Sequence, residues 1–235
     1  MVALAALAVN KPVVEGAHVC DNHLMELVLV HGSGQKADSW SRTAALLEGE
    51  ANIHCPQLSQ LTKGGPASWF RLASGFESYM EQLEDKPILV GLSLGGMLAL
   101  DYAARHGKKL AHLVLIGTPH RIPRLALGFQ NLVFHALPKS TFDSMAFSKA
   151  DTFALSRSMK DVDLEAAIAA LSVPTTVVCG SKDRTNLDSA RYIASHVEGA
   201  RLIILEGVGH IVNEEAPQLL APVIKDVLEE VGHRG

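Results

Sequence analysis

A serine hydroxyl is a weak nucleophile at neutral pH. It needs a base within hydrogen-bond reach, and that base needs an acid to orient it. One serine of this chain has the surroundings for such chemistry. Gly91-Leu92-Ser93-Leu94-Gly95 has G-x-S-x-G spacing and lies between an apolar run, Ile88-Leu89-Val90, and a helix-like stretch from Gly96 to Ala104. A strand turning sharply into a helix there would aim the Ser93 hydroxyl away from the sheet. The flanking glycines let strand and helix pass without a Cβ clash. The N–H groups at the helix start would face the spot where negative charge develops. The plainer alternative is a glycine-rich turn with a helix-capping serine. Two later loops offer partners, Gly180-Ser181-Lys182-Asp183 and Gly207-Val208-Gly209-His210, each just past a predicted strand. Parallel strands bring their carboxyl ends to one edge, so Ser93, Asp183 and His210 can converge there although distant in sequence.

The elements that must position them follow from pattern. Residues 24–30 form a nearly unbroken apolar run, as buried parallel strands do, and lead into the glycine-rich His31-Gly32-Ser33-Gly34. Asp38 or Ser39 can cap a helix to about residue 48, with Trp40, Ala44 and Leu47 on one face. Residues 53–55 read as a short strand. Residues 67–84 keep the clearest helical period, through Trp69, Leu72, Phe76, Met80 and Leu83. Further strands are expected at 110–117, 175–179 and 201–205, with a helix at 187–196. A last helix should start near Pro217 and kink or restart at Pro222. Residues 12–20 give a weak strand signal. Strands alternating with helices at this spacing imply an α/β fold with a mostly parallel sheet. From Pro119 to Ser172 the alternation fails, and that stretch reads as a helical insertion.

Composition narrows the function classes. At 48% hydrophobic residues the chain can bury a sizeable core, and 235 residues fit one domain with an insertion. A net charge of −4 without a basic block argues against nucleic acid as the main partner. Cys20, Cys55 and Cys179 are odd in number and show no C-x-x-C spacing, which suggests free buried thiols in a reducing compartment. The apolar opening, residues 1–9, lacks a basic flank and is too short to span a bilayer, so it is expected to pack on the domain. The expectation is a cytoplasmic protein without membrane association, acting as a monomer or homodimer. No metal cluster or dinucleotide fingerprint appears, so no cofactor is expected.

Four motifs together carry a resemblance. They are His31-Gly32-Ser33-Gly34 with Trp40 downstream, Gly91-Leu92-Ser93-Leu94-Gly95-Gly96, Gly180-Ser181-Lys182-Asp183, and Gly209-His210-Ile211-Val212-Asn213-Glu214-Glu215-Ala216-Pro217. With the order Ser, Asp, His, they make the chain resemble the α/β-hydrolase superfamily along nearly its whole length. It is most similar to compact esterases with a small helical cap, including the pimeloyl-carrier-protein methyl ester esterases. The resemblance implies an α/β-hydrolase fold, with 1–118 and 173–235 as core and 119–172 as cap. It implies Ser93 as nucleophile, His210 as general base and Asp183 as its orienting carboxylate. The oxyanion hole would be the backbone N–H groups of Ser33 and Leu94. Gly32, Trp40, His120, Phe129, Phe134 and Phe142 complete the expected substrate-binding set. Two departures stand out. Gln57-Leu58-Ser59-Gln60-Leu61 replaces the family's frequent Asp-x-x-Gly-x-Gly loop, and no proline follows Asp183 in its usual place.

The implied chemistry is hydrolysis of small to medium carboxylic esters through an acyl-enzyme. A serine at the elbow disfavours the dehalogenase and epoxide hydrolase routes, which use aspartate there. Three alternatives stay open: a C–C bond hydrolase or lyase, an acyltransferase or perhydrolase, and a non-enzymatic ligand receptor. Several residues also have plain structural roles available. His31 can hold its loop by hydrogen bonds, Asp188 can cap a helix, and His54, His112 and His196 can be satisfied core or surface groups. His120 and His135 could line a pocket. Leu132, Met145 and Phe147 could face substrate or simply pack.

Overall fold

The computed structural model describes residues 24–121 and 138–233. Its sheet has six described strands, all parallel, in the order β2-β1-β3-β4-β5-β6. They are β1 (Met25–Val30), β2 (Ala51–His54), β3 (Ile88–Leu92), β4 (His112–Ile116), β5 (Thr175–Gly180) and β6 (Arg201–Leu205). The chain runs from β1 outward to β2, then returns to place β3 on the other side of β1. Loops leaving β1 and β3 therefore diverge, and a crevice opens between them at the carboxyl edge of the sheet. His31-Gly32 leaves β1 at that crevice and Ser93 leaves β3.

Alternation along the strands supplies two cores. Val28, Val30, Leu89, Leu113, Leu115 and Val177 face one side, under α2 (Trp69–Met80) and α3 (Leu94–His106). Leu27, Leu29, Ile88, Val90, Val114 and Val178 face the other, with Trp40 and Leu47 and under α8 (Pro217–Gly232). Both faces of a parallel sheet are thus covered, as its backbone pattern requires.

The expected boundaries mostly shift by local chemistry. α2 begins later than residue 67 because Ser68 is its cap, accepting from Arg71 N at 3.3 Å. Neither Asp38 nor Ser39 caps the first helix. A 3-10 turn at Ala37–Trp40 precedes α1 (Ser41–Leu46), and the carbonyl and hydroxyl of Ser39 accept from Asn213 Nδ2 instead. α8 continues as one helix through Pro222, without a restart there. Pro222 and Gln218, whose carbonyl loses its helical donor, both lie on the exposed face, where water can replace that bond. A one-turn helix, α7 (Val212–Glu215), precedes it and carries no sequence signal of its own.

In the insertion, α4 (Lys149–Ser158) is followed by α5 (Leu164–Ala169), whose cap Asp163 accepts from Ala166 N at 3.0 Å. α4 is tied to the start of α2, where Ala67 N donates to Asp151 Oδ1 (3.1 Å) and Trp69 N to Ser158 Oγ (2.7 Å). Leu164 and Ile168 of α5 join the core cluster around α3. The weak strand at 12–20 lies outside the described residues, as do the apolar opening, Cys20, Phe129, Leu132, Phe134 and His135.

Candidate active site

Ser93 has φ 55° and ψ −113°, the one positive φ at a non-glycine among the described residues. Such a conformation costs on the order of 1–3 kcal/mol and persists only where packing imposes it. Here α3 is pressed onto the sheet. A Cβ on Gly91 would run into the Gly95 backbone, and one on Gly95 into the carbonyls of Val30 and His31. Ser93 N donates to Ile116 O (2.9 Å), which anchors the turn to β4. The Ser93 side chain makes no capping bond to α3, so the plain capping role is not the one it takes. Leu94 is the first residue of α3, where N–H groups have no acceptor within the helix.

The loops after β5 and β6 are laced together. Lys182 N donates to Val208 O (2.9 Å), Ser181 N to Leu205 O (2.9 Å), and Gly207 N to Ser181 Oγ (2.9 Å). That lacing places Asp183 Oδ2 2.6 Å from Nδ1 of His210. Asp183 is 6% exposed, whereas the His210 side chain is 38% exposed. Burial pushes the Asp183 carboxyl up, but bonds from His210 and Asn186 outweigh it and hold it below its ordinary range. An ionised Asp183 accepts the proton on Nδ1, which leaves Nε2 of His210 free to take one. A side chain at residue 117 would crowd this pair, and Gly117, at φ 51°, supplies none. The third link is open, since Ser93 Oγ forms no hydrogen bond among the described residues. Such bonds often close only with substrate in place.

The loop after β1 lies against the serine. A Cβ on Gly32 would sit 3.6 Å from that of Ser93. The Gly32 N–H is not available to a ligand, because it donates to Gln35 Oε1 (3.0 Å). Ser33 N–H has no acceptor among the described residues. His31 is fully buried and both its nitrogens are engaged: Nδ1 donates to Gly32 O (2.8 Å) and Nε2 accepts from Leu58 N (3.2 Å). Burial lowers its pKa, against the opposing pull of the Gly32 carbonyl, so the ring is neutral and structural. The divergent Gln57–Leu61 stretch thereby acquires a role. It forms a 3-10 turn at Leu58–Thr62 whose start holds His31, while Gln57 Oε1 accepts from Ala37 N (2.8 Å).

Other expected positions fall elsewhere. Trp40 is 0% exposed and sits inside the core cluster, where it packs below the β1 loop. His120 Nδ1 meets Ser189 Oγ (2.8 Å) and its ring stacks on Tyr192 at 4.4 Å, both on α6 (Leu187–His196). Phe142 is 4% exposed, with Lys149 Nζ 5.7 Å from its ring centroid. Asp188 is in the first turn of α6 beside Arg191 and is not its cap; Asn186 holds that position. His112 pairs with Thr176 Oγ1 (3.0 Å) in the core.

Three groups of the site have no role assigned to them by the sequence pattern. Asn186 donates to both oxygens of Asp183. Glu215 takes the N–H groups on either side of His210, Gly209 N at 2.7 Å and Ile211 N at 3.0 Å. Gln35 Nε2 donates to Asn213 Oδ1 (2.9 Å) and Glu214 Oε1 (2.7 Å), which joins the β1 loop to α7. Among the described residues no group of three or more His, Cys, Asp or Glu side chains could hold a metal ion.

Residues 27–223 match the model of the alpha/beta hydrolase family. The chain belongs to this family. Over 93 residues it is 39% identical to a pimeloyl-[acyl-carrier protein] methyl ester esterase of Aromatoleum aromaticum, covering 40% of this chain and 37% of that relative. A protein of the same name from Edwardsiella ictaluri is 26% identical over 101 residues, covering 43% of this chain and 39% of its own. The matches thus span about two fifths of those curated relatives. Solved structures extend the likeness of fold. A thermophilic esterase from Thermogutta terrifontis superposes with a TM-score of 0.73 at 20% identity, covering 88% of this chain and 90% of that one. The enol-lactonase from Burkholderia xenovorans gives 0.70 at 20% identity, covering 88% and 92%. As a family member the chain has the expected parallel sheet, flanking helices and inserted helical cap.

Proposed function

We propose that this alpha/beta hydrolase is a serine carboxylesterase acting on small to medium acyl esters, with residues 119–172 as its cap. The reading rests above all on one observation, an Asp183–His210 pair at 2.6 Å packed against Gly117, one residue beyond the Ile116 carbonyl that anchors the strained Ser93 turn. Ser93 Oγ attacks the ester carbonyl while Nε2 of His210 takes its proton. The N–H groups of Leu94 and Ser33 hold the negative oxygen of the tetrahedral intermediate. The carbon–oxygen bond to the alcohol then breaks, and His210 returns the proton to that alcohol. Water repeats the sequence on the acyl-serine and releases the acid and the free enzyme. Asp183 keeps Nδ1 protonated and stabilises the imidazolium throughout.

The ester cleavage for which the pimeloyl-carrier-protein relatives are named supports the reading, over the short stretch they share. A panel of p-nitrophenyl esters tests it. Turnover is expected in the wild type, with kcat lowered by several orders of magnitude in Ser93→Ala and the fold intact. Absence of turnover on every simple ester would favour a lyase or a ligand receptor.

A further inference from the structure

Asn186 has no part in the mechanism just described, yet it is bound more closely to Asp183 than any residue but His210. It is 8% exposed. Its Nδ2 lies 3.0 Å from Oδ1 and 2.9 Å from Oδ2 of Asp183, and its backbone N–H reaches Oδ1 at 3.3 Å. The same Nδ2 is 3.2 Å from Nδ1 of His210. The amide can face only one way, because turning it over would press its oxygen against two carboxylate oxygens. Nδ1 of His210 already donates to Oδ2, so the contact between the two nitrogens is one of two donors converging on a single acceptor oxygen.

We propose that Asn186 is a positioning residue: its side-chain amide clamps both oxygens of Asp183, fixes the carboxylate plane toward His210, and shares the negative charge that His210 would otherwise feel alone. The inference rests on the serine hydrolase reading above. Charge shared with a donor stabilises an imidazolium less. The clamp therefore lets His210 act as a free base at lower pH than an unshared Asp183 would. The Asn186 side chain makes no hydrogen bond to the other charged or titratable groups around the pair. Glu215 of α7 is spent on the N–H groups flanking His210. Cys179 of β5 lies near Asp183 with its thiol pushed up to about 11, chiefly by burial. Arg191 of α6 acts on that thiol, and Lys182 and Arg184, on either side of Asp183, are exposed.

Asn186 is also the N-cap of α6, although its side chain makes no cap bond, so two variants separate the roles. Asn186→Asp keeps a good cap residue but replaces the donor with a like charge. Asn186→Leu removes the donor at similar volume. The experiment is the pH profile of kcat/KM on a p-nitrophenyl ester, with melting temperatures and Ser93→Ala measured alongside. The midpoint of the acid limb is expected to rise from wild type to Asn186→Leu and further to Asn186→Asp. The leucine variant is also expected to lose roughly tenfold or more in kcat, with KM nearly unchanged, the scale of one hydrogen bond to a charged group. Unmoved midpoints in both variants, with Ser93→Ala inactive, would overturn the assignment and leave the hydrolase reading standing. Full activity in Ser93→Ala would overturn both.

Discussion

At the scale of single residues, two carboxylates lie close in sequence after β5, and only one meets a base. Asp183 is buried against His210, whereas the side chain of Asp188 is 88% exposed and paired with Arg191. Asp183→Asn is expected to lower kcat by about 10⁴, as loss of the orienting acid does in other triads, while Asp188→Asn stays within a few-fold of wild type. Steady-state kinetics on one ester rank the two. His31 gives a second expectation, for stability. Its folded pKa lies below the ordinary histidine value because it is buried. Below about pH 6.5 the unfolded chain therefore binds a proton that the folded chain refuses, and stability falls as pH falls. The depressed Asp183 contributes its own loss only lower, as pH drops below the ordinary carboxylate range. Between pH 7 and 5 the melting temperature of His31→Asn, lower at the outset, should fall less than that of the wild type. Equal slopes would show that His31 is not held neutral.

At the scale of elements, the turn from β3 into α3 carries Ser93, and its tolerances are small. A methyl group on Gly95 would meet the backbone of β1, which is not free to move aside. Gly95→Ala should destabilise the fold by about 2 kcal/mol or more, read as a lower midpoint in urea at unchanged slope. These turn positions were legible in the sequence because the chemistry constrains residue type and spacing together. β1, β3, β4 and β5 were legible as largely apolar runs, and β6, a partly exposed edge strand, by Leu202-Ile203-Ile204-Leu205. What escaped was tertiary exchange of hydrogen bonds. Ser39 reads as a cap until Asn213, far along the chain, takes its acceptors. Pro222 reads as a break until its exposed position shows that the freed carbonyl has water. Asn186, Glu215 and Gln35 are ordinary polar residues until the loops are brought together.

At the scale of the whole molecule, the proposed chemistry sits at the carboxyl edge of the sheet and the insertion should supply the selection. α4 is fastened at the start of α2, at the same edge of the sheet as Ser93. An apolar cap there would favour longer acyl chains by about 0.8 kcal/mol, or roughly fourfold in kcat/KM, per buried methylene until the pocket fills. For a compact cap the optimum is expected near butyrate or hexanoate esters, and it should move to longer chains in Phe142→Ala if that ring forms the pocket floor. A steady rise to palmitoyl esters would mark a lipase instead. The claim on which all of this depends is that Ser93 is the acyl-forming nucleophile, and reaction with a serine-directed phosphonate followed by mass spectrometry tests it most directly. The expected result is one adduct per chain, on Ser93, formed in step with loss of esterase activity and absent from Ser93→Ala. Labelling at another residue, or full esterase activity in a chain labelled at Ser93, would contradict the account.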